Sequence, residues 1–204
     1  MTLHVGNDNI VDIRKGSDKI AKVYHGEDLV WGYPSGKVLF ESSEAETVNL
    51  NIKFRCKLNI IAVGGGGGGA RARYSYTYSN HTGGSGSMIY GTIEVQAGTY
   101  TIVVGGGGNG ASVVDSGNNA VGGDGGDSTL FGQTAGGGKG GWAGANAYTP
   151  RGDNGNGGVA TITVPLSYTD GVKGDTTGVY MDGIGAGGAS ATKGNDGYIK
   201  IVAV

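Results

Sequence analysis

Hydrophobic positions in this chain come in short, strand-sized runs, separated by stretches with almost no side chains. The segments "KVLFES" (37–42), "ETVNLNIKFR" (46–55), "KLNIIAV" (57–63), "SMIYGTIEVQAG" (87–98), "TYTIVV" (99–104), "VATITVPLSY" (159–168) and "GYIKIVAV" (197–204) are all strand-like. None holds a 3.6-residue apolar period over ten or more residues, so the pattern predicts an all-β chain. The first 33 residues repeat with a period of ten: Gly6-Asn7-Asp8, Gly16-Ser17-Asp18 and Gly26-Glu27-Asp28 are followed at one offset by Ile10, Ile20 and Val30. Gly and Asp favour tight turns. The repeat therefore predicts a small antiparallel meander with strands near 2–5, 9–14, 19–25 and 29–33. It is too short to bury a core alone and must dock on something. "GYPSG" (32–36) reads as a linker, which divides the chain into residues 1–35 and 36–204.

Between the strands lie three glycine-rich excursions, 64–87, 105–158 and 183–197. Glycine supplies 46 of 204 residues, more than three times its usual share of about 7%. With only 3 prolines this is not collagen. An unstructured excursion of some fifty residues is improbable in a compact domain. The expectation is that the glycines are ordered as left-handed polyglycine II-type helices, with about three residues per turn. Their outward N–H and C=O groups would bond neighbouring helices.

Charge is balanced at −2, which gives no basic face for nucleic acid. No apolar stretch approaches the roughly 20 residues of a membrane helix, and the opening lacks a cationic stretch followed by an apolar run. The expectation is a chain made in a cytoplasm, with no membrane insertion. A single cysteine, Cys56, allows no intramolecular disulfide framework. "VGGGGGG" meets a dinucleotide-binding spacing trivially, but a strand-like segment follows where a helix is required. "GGDGGDSTL" (122–130) is close to one calcium-binding nonapeptide, an architecture that needs stacked copies; an ordinary glycine turn suffices. "RGD" (151–153) reads as accidental. His4, His25 and His81 are scattered, no serine elbow occurs, and most carboxylates sit in turn contexts. No catalytic residue, metal site or cofactor is expected.

The aromatics carry more information. Tyr74, Tyr76 and Tyr78 alternate with Arg73, Ser75, Thr77 and Ser79, so in a single strand all three face one side. Trp142 sits inside a glycine block and Tyr148 follows it. One reading makes these rings cover for the domain's own apolar surface. The other makes them a recognition surface, because tyrosine among Ser, Gly and Asn gives large contact area at low entropy cost. The candidate receptor-binding set is Tyr74, Tyr76, Tyr78, His81, Trp142 and Tyr148.

Four features occur in order: the strand running into a glycine block (60–69), "QAGTYTIVVGGGG" (96–108), "GGDSTLFG" leading to a second block (125–138), and the closing "DGYIKI" (196–201). Together they resemble the glycine-rich domain of bacteriophage minor tail and tail-fibre proteins. The opening "GSDKIAKVYHGEDLVWGY" (16–33) resembles a short module that precedes such domains. Similarity to the tail-fibre tip adhesins of T-even phages is partial, through the packed glycine segments. The resemblance implies an N-terminal attachment module followed by a β-sandwich carrying polyglycine II-type helices. It implies a non-enzymatic virion protein of the phage tail, partnered by other tail proteins and by a host cell-surface glycan or protein, with a homotrimer by analogy. The alternatives are a purely structural tail-tip or decoration protein and, less favoured, a tail-associated glycan hydrolase.

Overall fold

The computed structural model describes residues 13–15, 18–20, 23–25, 28–74, 77–113, 118–145, 150–180 and 183–204. Its regular structure is essentially all β, and no α-helix occurs among the described residues. β1 (Ile13–Lys15) pairs antiparallel with β2 (Asp18–Ile20), and β3 (Val23–His25) with β4 (Asp28–Trp31). Asp18 and Asp28, one repeat apart, open the second strand of each ladder. The expected four-strand meander is thus two separate two-stranded ladders among the described residues. Its first strand, at residues 2–5, lies outside them.

The stretch read as a linker is pinned. Gly36 N–H donates to the Ala203 carbonyl at 2.8 Å, and Ala203 N–H returns to the Lys37 carbonyl at 2.9 Å. Tyr33 is buried in the main core, edge-on to Phe54 at 5.6 Å, and its hydroxyl oxygen accepts from Lys53 N–H at 2.9 Å.

Beyond it run β5 (Val38–Ser42), β6 (Glu46–Ile52), β7 (Cys56–Val63), β8 (Ala70–Tyr74), β9 (Thr77–His81), β10 (Met88–Val95) and β11 (Gly98–Val104). Short strands follow: β12 (Ala111–Val113), β13 (Asn119–Val121), β14 (Ser128–Leu130), β15 (Gln133–Ala135), β16 (Trp142–Ala145), β17 (Pro150–Asp153), β18 (Ala160–Thr161) and β19 (Ser167–Thr169). β20 (Tyr198–Ala203) is the last. Two five-stranded antiparallel sheets result, in the orders β19-β10-β7-β20-β5 and β18-β15-β14-β11-β6. In β7, Cys56, Leu58, Ile60 and Ala62 are buried while Lys57 and Asn59 are exposed. That is the two-residue period of a strand with one face on a core. Ile89 and Ile201 join them from the same sheet, and Ile52, Ile102 and Leu130 join the same cluster from the other. Burying each such Ile or Leu contributes about 1.5–3 kcal/mol.

"VATITVPLSY", expected as one strand, is two. β18 pairs β15 in one sheet, and β19 pairs β10 in the other. Pro165 has no N–H to give a ladder, and Leu166 N–H bonds back to the Val164 carbonyl at 2.8 Å around it. The chain turns there and changes sheet.

The glycine-rich runs belong to no strand or helix. They occupy 64–69, 82–87, 105–110, 122–127, 136–141, 154–159, 186–189 and 192–197. Their backbone groups bond to one another in threefold order. Gly64 and Gly67 donate to Ser87 and Gly84, Gly65 and Gly68 to Gly126 and Gly123, and Gly66 and Gly69 to Asn195 and Thr192, all at 2.8–2.9 Å. The carbonyls of the same run accept in the same rhythm: Gly65 and Gly68 from Gly138 and Gly141, Gly66 and Gly69 from Gly108 and Ala111, and Gly67 from Gly188. The 64–69 run is therefore ringed by six others. None of its glycines has positive φ. What requires glycine is close approach: a Cβ at Gly67 would overlap the Lys139 carbonyl, and one at Gly66 the Ala186 carbonyl.

Carboxylates and hydroxyls peg the lattice. In "GGDGGDSTL", Asp124 accepts from Gly140 N–H at 2.9 Å and from Lys139 Nζ at 2.8 Å, and Asp127 accepts from Gly137 N–H at 2.8 Å. Ser128 Oγ accepts from Gly105 N–H at 2.9 Å and donates to the Val63 carbonyl at 2.6 Å. Asp196 accepts from Gly107 N–H at 2.7 Å and from Lys193 at 2.8 Å. Burial works against the charge on Asp124 and Asp196, but these hydrogen bonds outweigh it and hold both carboxyls below their ordinary range.

Two outcomes follow for stability. Gly67→Ala should cost at least about 3 kcal/mol, because only backbone stands in the way of its methyl group. Gly106→Ala, whose methyl would meet the Ala45 Cβ at 3.2 Å, should cost about 1 kcal/mol or less. Urea unfolding of both variants against the parent checks the contrast. The lowered Asp124 and Asp196 values stabilise the fold fully above the unfolded carboxyl range of about 4 and are lost as pH falls through the folded values. Thermal melts should be flat from neutral pH to about 5 and drop below about 4, with a shallower drop in Asp196→Asn.

Candidate functional site

Six of the eight glycine runs leave a five-stranded sheet at one end and meet a short strand at the other. The run 64–69 joins β7 to β8, 82–87 joins β9 to β10, 105–110 joins β11 to β12, and 122–127 joins β13 to β14. Likewise 136–141 joins β15 to β16, and 154–159 joins β17 to β18. These distal strands form two three-stranded sheets, β12-β8-β9 and β13-β16-β17, and the two sheets pack on each other. Their contact is built from Ala70, Ala72, Ala120 and Ala143, with Ala111 and Val113 against them. Small side chains let the backbones approach closely, as the glycines do below them.

Of the six sequence-predicted residues, Tyr74 lies on β8, Tyr78 and His81 on β9, and Trp142 on β16. Tyr76 and Tyr148 lie outside the described residues. The single tyrosine-lined strand is not what forms. β8 and β9 pair antiparallel with Tyr74 opposite Thr77 and Arg73 opposite Tyr78. Directly opposed residues share a face, so positions 74 and 78 fall on opposite faces of the ladder. Even spacing that aligns residues on one strand separates them across a hairpin.

Tyr78 is 41% exposed and is flanked by two cations that sequence reasoning did not single out. The Arg71 guanidinium carbon lies 4.1 Å from its ring centroid and that of Arg73 5.4 Å. A guanidinium over a tyrosine face is attracted by the ring's quadrupole. β12 runs parallel to β8 with Ser112 beside Arg71. Arg71, Arg73, Tyr78, Ser112 and Val113 line a cleft of about 230 Å³. The signal was present in "ARAR", where alanine alternates with arginine: Ala70 and Ala72 are buried and Arg71 and Arg73 exposed.

His81 joins the two hairpins. Its Nε2 is 3.0 Å from Ser79 Oγ, and a Cβ at Gly152 would collide with its ring. Gly152 is the centre of the "RGD" tripeptide, which is therefore part of a paired strand, with Gly152 opposite Ala143. Asp153 accepts from Lys173 Nζ at 2.7 Å. That bond, with smaller help from Asn154 N–H and His81 and against some burial, holds its carboxyl below the ordinary range. Trp142 is half-buried, with its ring 3.3 Å from where a Cβ on Gly144 would sit. It covers the distal sheet rather than standing clear of it.

A second concavity, of about 310 Å³, lies on the β10–β7 side of a five-stranded sheet and is lined by Ile61, Met88, Tyr90 and Tyr180 among others. Tyr180 stacks on Tyr198 at 5.4 Å, and Tyr198 donates to Glu41 at 2.6 Å. Burial, then the Glu41 contact, pushes the Tyr198 phenol far above its ordinary value. No group of three or more His, Cys, Asp or Glu side chains fit to hold a metal occurs among the described residues.

The His81–Gly152 contact predicts a local effect. Gly152→Ala should cost about 1–3 kcal/mol through displacement of the imidazole and the Trp142 carbonyl. Amide exchange should accelerate in β8, β9, β16 and β17 while the core strands β7 and β10 keep their protection. Hydrogen-exchange mass spectrometry reads both regions at once.

A shared sequence pattern accounts for the framework. Residues 42–201 match the family described as "Glycine-rich domain", a span from the end of β5 to the middle of β20. No curated protein matches the chain. The match covers most of the sequence and all of the glycine runs, and the chain belongs to the glycine-rich domain family.

Proposed function

We propose that this protein is a structural component of a bacteriophage tail, at the tip or on a fibre, and that its distal hairpins bind the host cell surface without enzymatic action. The observation that carries this reading is the division of labour along the glycine runs. Backbone groups of the runs bond to one another, and the pegs that hold them are Asp124, Asp127, Ser128 and Asp196. Arg71, Arg73 and Tyr78 lie outside the main apolar cluster, and they sit where the runs end. Recognition chemistry can vary there at little cost to the frame.

Within this reading the runs are polyglycine II-type rods. The three-residue rhythm of their hydrogen bonds and the lack of positive φ in the 64–69 run support it. The two five-stranded sheets, which share one apolar cluster, make a β-sandwich base. Residues 1–35 attach that base to other tail proteins, and the protein works in the virion as a homotrimer. The similarity to phage tail proteins in the strand-to-glycine junctions supports the assignment to a virion; the family alone does not dictate a function.

Gold-labelled antibody should decorate tail ends of intact virions, and soluble protein should bind host cells and slow phage adsorption. Label elsewhere on the particle overturns the tail assignment. Tail labelling without cell binding overturns the receptor role and leaves a structural tail component.

A further inference from the structure

We propose that the cleft between β8, β9 and β12 binds an anionic sugar of the cell surface, with Arg71 and Arg73 holding its oxyanion. The inference rests on the receptor reading above and names the chemistry that the receptor must present.

Three strands converge on one face. β8 places Arg71 and Arg73 two residues apart on the side away from the buried alanines. The β8–β9 register sets Tyr78 beside Arg73, and the β8–β12 register sets Ser112 beside Arg71. Both guanidinium groups then lie over one ring, at 4.1 and 5.4 Å. The hairpin is held by its ladder and by alanines on its other side, and the opposite face of β8 lines the cleft. An oxyanion in the cleft is attracted by both cations.

The tyrosine does more than offset charge. A guanidinium stacked by its face keeps its N–H donors in the plane of the group, where they bond carboxylate or phosphate in pairs. Contact with the ring also restricts two long side chains before a ligand arrives, which lowers the entropy lost on binding. Ser112 adds a hydroxyl and Val113 an apolar surface in the same cleft, whose volume of about 230 Å³ suits one sugar ring. An apolar surface and an aromatic ring suit the C–H face of a sugar, while the guanidinium groups take its charge. A polyanionic nucleic acid is disfavoured by the net charge of −2.

The oxyanion can be a sugar carboxylate or a phosphate substituent, and the probes separate them. Calorimetry on the full chain compares tetragalacturonate with its neutral methyl ester, and dextran phosphate with dextran. At least one charged probe should bind about tenfold or more tightly than its neutral partner, with affinity falling as salt rises. Arg71→Gln/Arg73→Gln should abolish that preference, and Arg71→Lys should weaken binding while keeping the charge. Equal binding of charged and neutral probes, or no binding of any, overturns the site. If the double variant fails to fold, the single Arg71→Gln and the acid-against-ester comparison on the parent decide it. Host cells bound equally by parent and Gln variants overturn the oxyanion site and leave the adhesin standing. A parent that binds charged probes but not host cells leaves the site and overturns the adhesin.

Discussion

Backbone-to-backbone contact without room for a Cβ is the constraint on which this molecule depends. In the 64–69 run all six N–H groups and four carbonyls bond to other runs, and the Gly69 carbonyl bonds to Ala111 at the start of β12. Each such bond contributes roughly 0.5–1.5 kcal/mol net, whereas ordering a glycine rather than an alanine costs about 0.5–1 kcal/mol. A glycine that uses both its groups offsets its own entropy. A glycine that used neither would not. The lattice is therefore cooperative: one run makes sense only when its neighbours are in place. The overlaps that a Cβ would meet at Gly64 through Gly69 are all with backbone atoms of neighbouring segments, so no rotamer change could relieve them.

The lattice also explains the layout of the rest. Runs with no side chains cannot set their own register, because one glycine is like the next. Register comes from the ends and from pegs. The apolar strands on one side, the alanine-packed hairpins on the other, and Asp124, Asp127, Ser128 and Asp196 between them each fix one run against a neighbour. Side chains that could recognise something are confined to the short strands at the far ends. This is why the Arg–Tyr cluster sits there and not on the frame.

Much of the frame was legible. Strands β5, β6, β10 and β20 lie within the apolar segments that the pattern marked, and β7 and β11 each begin one residue before theirs. The hairpin that pairs Tyr74 with Thr77 was not legible, because the reversal of the chain leaves the even spacing of the tyrosines in the sequence untouched. The break in "VATITVPLSY" had a sign, Pro165, which the apolar run masked. "GGDGGDSTL" looked like a turn or a calcium loop, and its acids cap backbone amides that belong to other runs. Tyr33 looked like the end of an attachment strand, yet it fills the main core beside Phe54. Arg71 and Arg73 were not singled out because Tyr78, the ring both lie against, is across the hairpin.

By itself the sequence determined the all-β class, the places of the main strands and the requirement that glycine be ordered, since these follow from local side-chain pattern and from the absence of Cβ atoms. Only the tertiary structure decided which run bonds to which, which face each hairpin residue occupies, and that two arginines meet one tyrosine. The physical reason is the same in each case. Backbone amides are chemically identical along a glycine run, so their pairing carries no local signature and is settled by strands and pegs far away in the chain.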